Sequence, residues 1–341
     1  MATCLLGIGA NLGDRSATLD AAVDRLTRDA RVRVQRRSPW HETAAIGGPA
    51  SQPGFLNGAL VVETTLTPGS LLQLLHEIEL SLGRERSGHW HPRTIDIDLL
   101  LYDELVVADV DLVVPHPRMA VRRFVLESAA EIAPDFWHPP TGWTIAQLLA
   151  HLNTAHQYAA VTSSRSELAK RLAVEVAKRV GAQLIDLQPS TSSRLLAASS
   201  TSPGGLELAH SWARQLDVER WPAAAAPGGS GWVVSSGWFV ESRLVDFQDR
   251  LGRGAASPVA ESAALWQELS ARVTQPKLIL AVECSLSGAV GVERLSSLGE
   301  PFATALAAQL SLPGQGPVLR LVADDWDRAV IEAVAALEAA T

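Results

Sequence analysis

Residues 94–102 read Thr-Ile-Asp-Ile-Asp-Leu-Leu-Leu-Tyr, an apolar run interrupted by two carboxylates. A run this rich in Ile and Leu is typical of a buried β-strand. Because side chains alternate across a strand, Asp96 and Asp98 would project from the same face of the sheet. The stretch therefore predicts a core strand that carries two acidic groups side by side.

The segments before this strand alternate between strand and helix patterns. Thr67 followed by Pro68 has the residue types of a helix N-cap and first turn. In chain order the predicted elements are strand 4–9, helix 16–28, strand 32–37, strand 59–65, helix 68–82 and strand 94–102, with loops at 46–54 and 84–93 and later helices at 124–132 and 144–152. A β-α-β-β-α-β order favours a ferredoxin-like α+β sandwich, in which helices cover one face of an antiparallel sheet.

The pattern changes near residues 153–166, where aromatic residues and Pro give way to Thr and Ser. A chain of 341 residues usually has more than one core, so we expect two domains, residues 1–155 and 156–341. In the second, strand patterns alternate with helical patterns, which is typical of a parallel α/β sheet. The predicted strands are 159–162, 183–186, 232–235, 277–284 and 318–322, and the predicted helices include 168–180 and 326–340.

Composition excludes several classes of function. A net charge of −8 argues against an extended nucleic-acid-binding surface. No apolar run approaches the roughly 20 residues that span a bilayer, and the first residues lack a basic leader. Cys4 and Cys284 lie in apolar runs, as buried thiols of a reducing compartment do. We therefore expect a cytoplasmic protein that binds neither nucleic acid nor membrane.

Asp96 and Asp98 allow two interpretations, a solvated acidic surface or a Mg²⁺ site. The apolar neighbours favour the metal, because burying two carboxylates is costly unless cations neutralise them. Mg²⁺ takes oxygen ligands and usually retains substrate phosphates. Cationic side chains that would suit polyphosphate transfer flank the pair, namely Arg84, Arg86, Arg93, His116, Arg122 and Arg123. Trp90 could stack on a flat ring or simply anchor its loop.

Four separated motifs resemble the 6-hydroxymethyl-7,8-dihydropterin pyrophosphokinase family of the folate pathway. They are Gly-Ala-Asn-Leu-Gly-Asp at 9–14, Gln-Pro-Gly-Phe-Leu-Asn at 52–57, Pro-Arg-Thr-Ile-Asp-Ile-Asp-Leu-Leu at 92–100, and Pro-His-Pro-Arg at 115–118 followed by Arg-Arg-Phe at 122–124. Ala10 stands where the family has Ser, and His91 replaces a small residue. The resemblance implies an ATP-dependent diphosphotransferase that gives AMP and the pterin diphosphate.

The resemblance also implies roles for individual residues. Asp96 and Asp98 would bind two Mg²⁺ ions that bridge the phosphates of ATP, the co-substrate. Catalysis would involve this pair together with Arg93 and with Arg84, which would act from a closing loop. Further contacts to ATP would come from Glu79, Trp90, Arg93, His116 and Arg122. The dihydropterin would be bound by Thr43, Ile46, Phe55, Asn57, Trp90 and Phe124, with the two Phe rings on either side of it.

Residues 156–341 loosely resemble deoxynucleoside kinases, which implies a P-loop-kinase-like fold. The similar segments are 168–173, 232–235 and 317–325. A P-loop needs a Gly-rich backbone followed by Lys-Ser/Thr, whereas residues 162–166 read Thr-Ser-Ser-Arg-Ser. We therefore expect a degenerate domain that transfers no phosphate and either forms a homodimer or regulates the first domain. An active nucleoside kinase and a non-catalytic scaffold are the alternatives.

Overall fold

The computed structural model describes residues 1–46, 52–84, 93–185, 231–237, 276–284 and 306–341. The chain forms two compact units, residues 1–153 with 338–341 and residues 154–337. Each unit contains its own five-stranded sheet. The predictions for residues 47–51, 85–92 and 186 lie outside the described residues.

The first unit is built on an antiparallel sheet in which β2-β4-β1-β5 are neighbours and β3 pairs with β4. The sheet strands are β1 (Ala2–Ala10), β2 (Val32–Arg37), β3 (His41–Thr43), β4 (Phe55–Thr64) and β5 (Asp96–Tyr102). The helices are α1 (Arg15–Arg28), α2 (Pro68–Ser81), α3 (Arg123–Ile132) and α4 (Ile145–Thr154). Two small hairpins pair β6 (Val107–Ala108) with β7 (Val113–Val114) and β8 (Trp137–His138) with β9 (Trp143–Thr144), and Met119–Val121 form a 3-10 helix.

Side-chain capping fixes where the first two helices begin. The Asp14 carboxylate accepts a hydrogen bond from the Ala17 N–H at the start of α1. Thr67 caps α2 through the Ser70 N–H, and Pro68 stands in the first turn, so this predicted N-terminus is confirmed. Both helices bury apolar stripes in one core with alternate residues of β1, including Cys4, Leu6 and Ile8. Burial raises the pKa of the Cys4 thiol to about 12.

The other face of the same sheet carries small and polar side chains near its middle. In the register of β1, Gly9 lies opposite Asn57 of β4 and opposite Asp96 of β5, and Gly7 lies opposite Asp98. Directly opposed residues of antiparallel strands share a face. The packing of apolar positions against α1 and α2 therefore directs both aspartates and Asn57 away from the core.

Several strands of the first unit differ from the sequence predictions, and β1 is longer at both ends than the predicted 4–9. Strand β4 begins at Phe55 rather than at residue 59, because Asn57 and Gly58 break the apolar alternation although their backbone pairs with β1. Strand β3 was not predicted, since His41-Glu42-Thr43 has no apolar period and forms only by pairing with residues 55–57. Strand β5 begins at Asp96, two positions after the predicted start.

The second unit contains a parallel sheet with the order β11-β12-β10-β13-β14. Its elements are β10 (Tyr158–Thr162), α5 (Ser166–Val180), β11 (Gln183–Ile185), β12 (Val233–Ser236), β13 (Leu278–Glu283) and β14 (Val318–Val322), and helix α6 (Trp326–Ala340) closes the chain. The inner strands are almost wholly buried, as expected of parallel strands covered on both faces. The predicted parallel sheet is confirmed, although Cys284 is only half-buried.

Among the described residues, each helix is too short or too polar to traverse a bilayer.

His138 gives the first unit a pH-dependent stability. It is buried at the β8–β9 hairpin, where its Nδ1 lies 2.9 Å from the Thr141 hydroxyl, and burial lowers its pKa to about 4. The unfolded chain binds a proton near pH 6.5, whereas the folded chain resists it until about pH 4. The contribution of this neutral His is therefore complete above pH 6.5 and is lost as the pH falls toward 4, by up to about 3 kcal/mol.

We expect His138→Gln to have a melting temperature that falls less between pH 7 and pH 5 than that of the wild-type chain. Thermal unfolding at a series of pH values measures this difference. Other groups that titrate in this range, such as His116, are present in both proteins and cancel in the comparison. Parallel pH profiles of the two proteins would contradict the assignment.

Candidate active site

The two aspartates of β5 are surrounded by the cations that flank them in sequence. Asp96 lies 2.7 Å from the Arg84 guanidinium and 2.8 Å from that of Arg93. Asp98 lies 3.4 Å from the Arg122 guanidinium and 3.8 Å from Nε2 of His116. The structure thus brings Arg84, Arg93, His116 and Arg122 to the acidic pair, and Glu79 joins the group through Arg84. Arg123, which also follows the pair in sequence, instead pairs with Glu127.

The electrostatics of the two carboxylates differ. Burial and the adjacent Asp98 raise the pKa of Asp96, against the effect of Arg93 and Arg84. Burial acts in the same direction on Asp98, but His116 and Arg122 outweigh it and hold the pKa of Asp98 below its usual value. The two neighbouring carboxylates repel each other, so a cation bound between them would stabilise the pair.

His116 is neutral near pH 7, because burial lowers its pKa to about 4 even though Asp98 favours the charged form. Its Nδ1 accepts a hydrogen bond of 3.2 Å from the Arg118 N–H, so the proton of the neutral ring lies on Nε2. That N–H faces Asp98 and the same open face of the sheet. His116 can therefore donate a hydrogen bond to an anion without adding a charge.

Glu79 supports the site from α2. Its exposed fraction is 2%, and its Oε1 accepts a hydrogen bond of 2.7 Å from the Ile97 N–H, between the two aspartates. The same carboxylate oxygen is paired with Arg84. Burial raises the pKa of Glu79 to about 7, although Arg84 opposes the shift. In this structure Glu79 joins Arg84 to the strand that carries the acidic pair.

A second group of predicted residues lies on the other side of β1. Asn57 of β4 donates a hydrogen bond of 2.7 Å from Nδ2 to the Thr43 hydroxyl at the end of β3. Phe55 is half-buried on β4, Phe124 is half-buried on α3 beside Arg122, and Ile46 is half-buried after β3. Trp90, Arg86 and His91 lie outside the described residues.

Gly9 separates the two groups. A β-carbon at this position would overlap the Oδ1 of Asn57, so the close approach of the Asn57 side chain to β1 requires glycine. The same residue lies opposite Asp96. Gly9 therefore lies between the acidic pair and the Asn57–Thr43 pair on one face of the sheet.

Sequence reasoning assigned no role to Asn11, although it belongs to the quoted motif at 9–14. Its exposed fraction is 2%; its Oδ1 accepts a hydrogen bond of 2.7 Å from the Arg93 N–H, and its Nδ2 donates one of 3.4 Å to the Pro53 carbonyl. A polar residue buried this deeply normally has fixed partners. Asn11 thus holds Arg93 and the segment before β4 in one arrangement.

The acidic pair fits a Mg²⁺ ion. Asp96 and Asp98 share a face, and their side chains are 25% and 31% exposed, which leaves the oxygens accessible. Within the described ranges no cluster of three or more His, Cys, Asp or Glu side chains is placed to hold a metal. Further ligands would be waters and substrate phosphates, as is usual for this ion.

Comparison with known proteins gives a consistent match for the first part of the chain. The sequence model of the family described as 7,8-dihydro-6-hydroxymethylpterin-pyrophosphokinase (HPPK) matches residues 5–134. The 2-amino-4-hydroxy-6-hydroxymethyldihydropteridine pyrophosphokinase of Synechocystis sp. is 40% identical over 149 residues, which are 44% of this chain and 75% of that protein. The protein of the same name from Methylorubrum extorquens is 42% identical over 153 residues, 45% of this chain and 95% of that protein.

Two longer proteins are matched as well. The bifunctional protein FolKE of Lactococcus lactis subsp. lactis is 40% identical over 158 residues, 46% of this chain and 44% of that protein. The crystal structure of wild-type HPPK-DHPS from Plasmodium falciparum with SDX-DHP aligns with a TM-score of 0.36 and 12% identity, over 94% of this chain and 81% of that one. A likeness this weak carries no argument about the fold.

We expect Gly9→Ala to displace Asn57 and to weaken binding in the space beside it by at least about tenfold, because an overlapping methyl group needs a backbone or rotamer shift. Gly69→Ala is the matched control, since a β-carbon there has no heavy atom within 4 Å. Calorimetric titration with a pterin, together with melting temperatures, measures the effect. Equal pterin affinity in the Gly9→Ala and Gly69→Ala variants would contradict it.

Proposed function

Because the chain belongs to the 7,8-dihydro-6-hydroxymethylpterin-pyrophosphokinase family, we propose that the acidic pair and its cationic neighbours carry the reaction of that family. The reaction is ATP-dependent transfer of a pyrophosphoryl group to hydroxymethyldihydropterin, a step of folate biosynthesis. The assignment of residues rests on one observation, the shared face of Asp96 and Asp98 with cations on both sides.

The products define the bonds that change. The pterin hydroxymethyl oxygen forms a bond to the β-phosphorus of ATP, the bond from that phosphorus to the bridging α-oxygen breaks, and AMP leaves with the electron pair. The hydroxyl proton passes to solvent, since the proposed mechanism uses no strong protein base. Catalysis of such a transfer depends mainly on positioning and charge neutralisation.

The metal ions and the side chains around the acidic pair would each contact the polyphosphate. Asp96 and Asp98 would hold two Mg²⁺ ions, which supply positive charge to the polyphosphate. Arg93 and Arg122 would exchange their present carboxylate partners for phosphate oxygens, and neutral His116 would donate a hydrogen bond from Nε2. Arg84 would be released from Glu79 and Asp96 when it contacts ATP. Glu79 and Trp90 are the remaining proposed contacts to ATP.

The pterin would lie beyond Gly9, on the Asn57 side of β1. Asn57 and Thr43 present hydrogen-bonding groups suited to the polar edge of the ring. Phe55 and Phe124 would pack on its two faces, with Ile46 and Trp90 nearby. This arrangement would direct the hydroxymethyl group across Gly9 toward the acidic pair.

We also propose the finer fold and domain assignments. A ferredoxin-like fold for residues 1–155 is supported by the antiparallel order β2-β4-β1-β5 and by α1 and α2 on one face. A P-loop-kinase-like fold for residues 156–341 is supported by a parallel sheet with its first strand at the centre and α5 directly after it. A cytoplasmic location agrees with the free thiols of Cys4 and Cys284.

The second domain is proposed to be a degenerate kinase. Only residues 163–165 join β10 to α5, too short a connection for the eight-residue Walker A loop. The amide and hydroxyl of Ser164 both bond to the Glu283 carboxylate at the end of β13. An acidic side chain thus takes donors at the strand ends, where open α/β sheets usually bind their ligand. Homodimerisation or regulation of the first domain is the proposed role.

We expect the wild-type chain to release AMP from ATP and Mg²⁺ only when 6-hydroxymethyl-7,8-dihydropterin is present. Asp96→Ala should reduce this rate on the order of 10³-fold, because a metal ligand is lost. Asp24→Ala, an exposed carboxylate on α1, is the control. Pterin-dependent AMP release by Asp96→Ala at the wild-type rate would refute the metal assignment.

We expect neither the full chain nor its Asp96→Ala variant to phosphorylate deoxynucleosides above the background without enzyme, because the connection at 163–165 cannot enclose a phosphate. Radiolabelled ATP with each deoxynucleoside measures this. Product that persists in the Asp96→Ala variant at a rate dependent on the nucleoside would favour an active second kinase instead.

A further inference from the structure

Arg15 is the first residue of α1 and bonds to two separate segments of the sheet edge. One guanidinium nitrogen donates a hydrogen bond of 2.8 Å to the Gly54 carbonyl. The other lies 3.0 Å from the Glu42 carboxylate. Glu42 and Gly54 stand on either side of the connection between β3 and β4, so a single side chain joins its two ends.

Both partners of Arg15 are next to residues of the proposed pterin site. Glu42 precedes Thr43, and Gly54 precedes Phe55. Thr43 and Phe55 are themselves paired across β3 and β4, and Thr43 accepts the hydrogen bond of Asn57. Gly54 lies so near this pair that a β-carbon on it would be 3.1 Å from the Thr43 carbonyl oxygen. Because Arg15 bonds to both Glu42 and Gly54, movement of either residue would also move its neighbour, Thr43 or Phe55.

Strand β3 needs the additional hydrogen bonds that Arg15 provides. It spans only His41–Thr43, and among the described strands it pairs with β4 alone. A two-stranded pairing of this length is marginal without tertiary support. The guanidinium is suited to the task, because its planar fork can donate to two acceptors at once, whereas a lysine ammonium is a point charge on a flexible stem.

We propose that Arg15 is a positioning residue for the pterin, which holds Thr43 and Phe55 at the spacing that the pterin ring requires. This inference rests on the proposed function of the Asn57 side of the sheet. It assigns a role to the residue directly after the motif at 9–14. The described hydrogen bonds of Arg15 end on the pterin side of β1, so its effect should be confined to that substrate.

Calorimetric titration of the full chain with 6-hydroxymethyl-7,8-dihydropterin, in the presence of a non-hydrolysable ATP analogue and Mg²⁺, tests the proposal. Arg15→Ala should weaken pterin binding about tenfold, as expected for loss of a charged hydrogen bond. Affinity for the ATP analogue, measured alone, should change less than about twofold. In steady-state assays the KM for the pterin should rise while kcat at saturating pterin stays close to that of the wild-type chain.

Three further variants sharpen the test. Arg15→Lys should be intermediate, because an ammonium can keep one of the two acceptors. Glu42→Gln should have a smaller effect than Arg15→Ala, since the bond to Gly54 remains and an exposed ion pair contributes little. Arg28→Ala, at the opposite end of α1, removes the same charge from the helix and should leave pterin affinity unchanged.

Two results would overturn the inference. One is an Arg15→Ala variant that binds pterin as tightly as the wild-type chain. The other is an equal loss of affinity for pterin and for the ATP analogue, which would indicate a general structural defect. A wild-type chain that binds no pterin would instead overturn the proposed function, and this inference with it.

Discussion

The arrangement of the first unit depends on the repulsion between two carboxylates, Asp96 and Asp98, on a strand of its core. Strand β5 buries Ile97 and Leu99 among the helices and turns Asp96 and Asp98 to the opposite face. Two carboxylates so close need cations, and Arg84, Arg93 and Arg122 supply them. The same guanidinium groups suit a polyphosphate, so a bound polyphosphate and metal would replace interactions that already balance the two carboxylates.

The central strand imposes a second constraint, because its glycines let neighbouring side chains approach its backbone closely. Gly7 and Gly9 of β1 lie opposite Asp98 and Asp96, where larger side chains would fill the face of the sheet. Asn57 approaches Gly9 so closely that a methyl group has no space there. Buried Asn11 then links Arg93 to Pro53, so one side chain joins the proposed phosphate-binding side of the sheet to the proposed pterin-binding side.

Local signals in the sequence were sufficient to predict most elements and the acidic pair. The apolar period of β5, the Thr67 cap and the Arg residues around 84–93 are all readable from short windows. The contributions of β3, Asn11 and Arg15 cannot be predicted from short windows. Each depends on a partner more than ten residues away in the chain, namely Asn57, Arg93 and Gly54, respectively. Polar residues that join distant segments do not recur at a regular spacing, so no sequence pattern indicates them.

The carboxylates at the strand ends have different partners in the two sheets. In the first unit, carboxylates on β5 face an open surface and are balanced by Arg side chains that substrate could displace. In the second, Glu283 at the end of β13 is bonded to the backbone and hydroxyl of Ser164, and the connection at 163–165 has no length to move aside. A carboxylate held by backbone donors already has the partners that a phosphate would need. This contrast supports the proposal that phosphoryl transfer belongs to the antiparallel sheet of the first unit and that the second domain is a degenerate kinase.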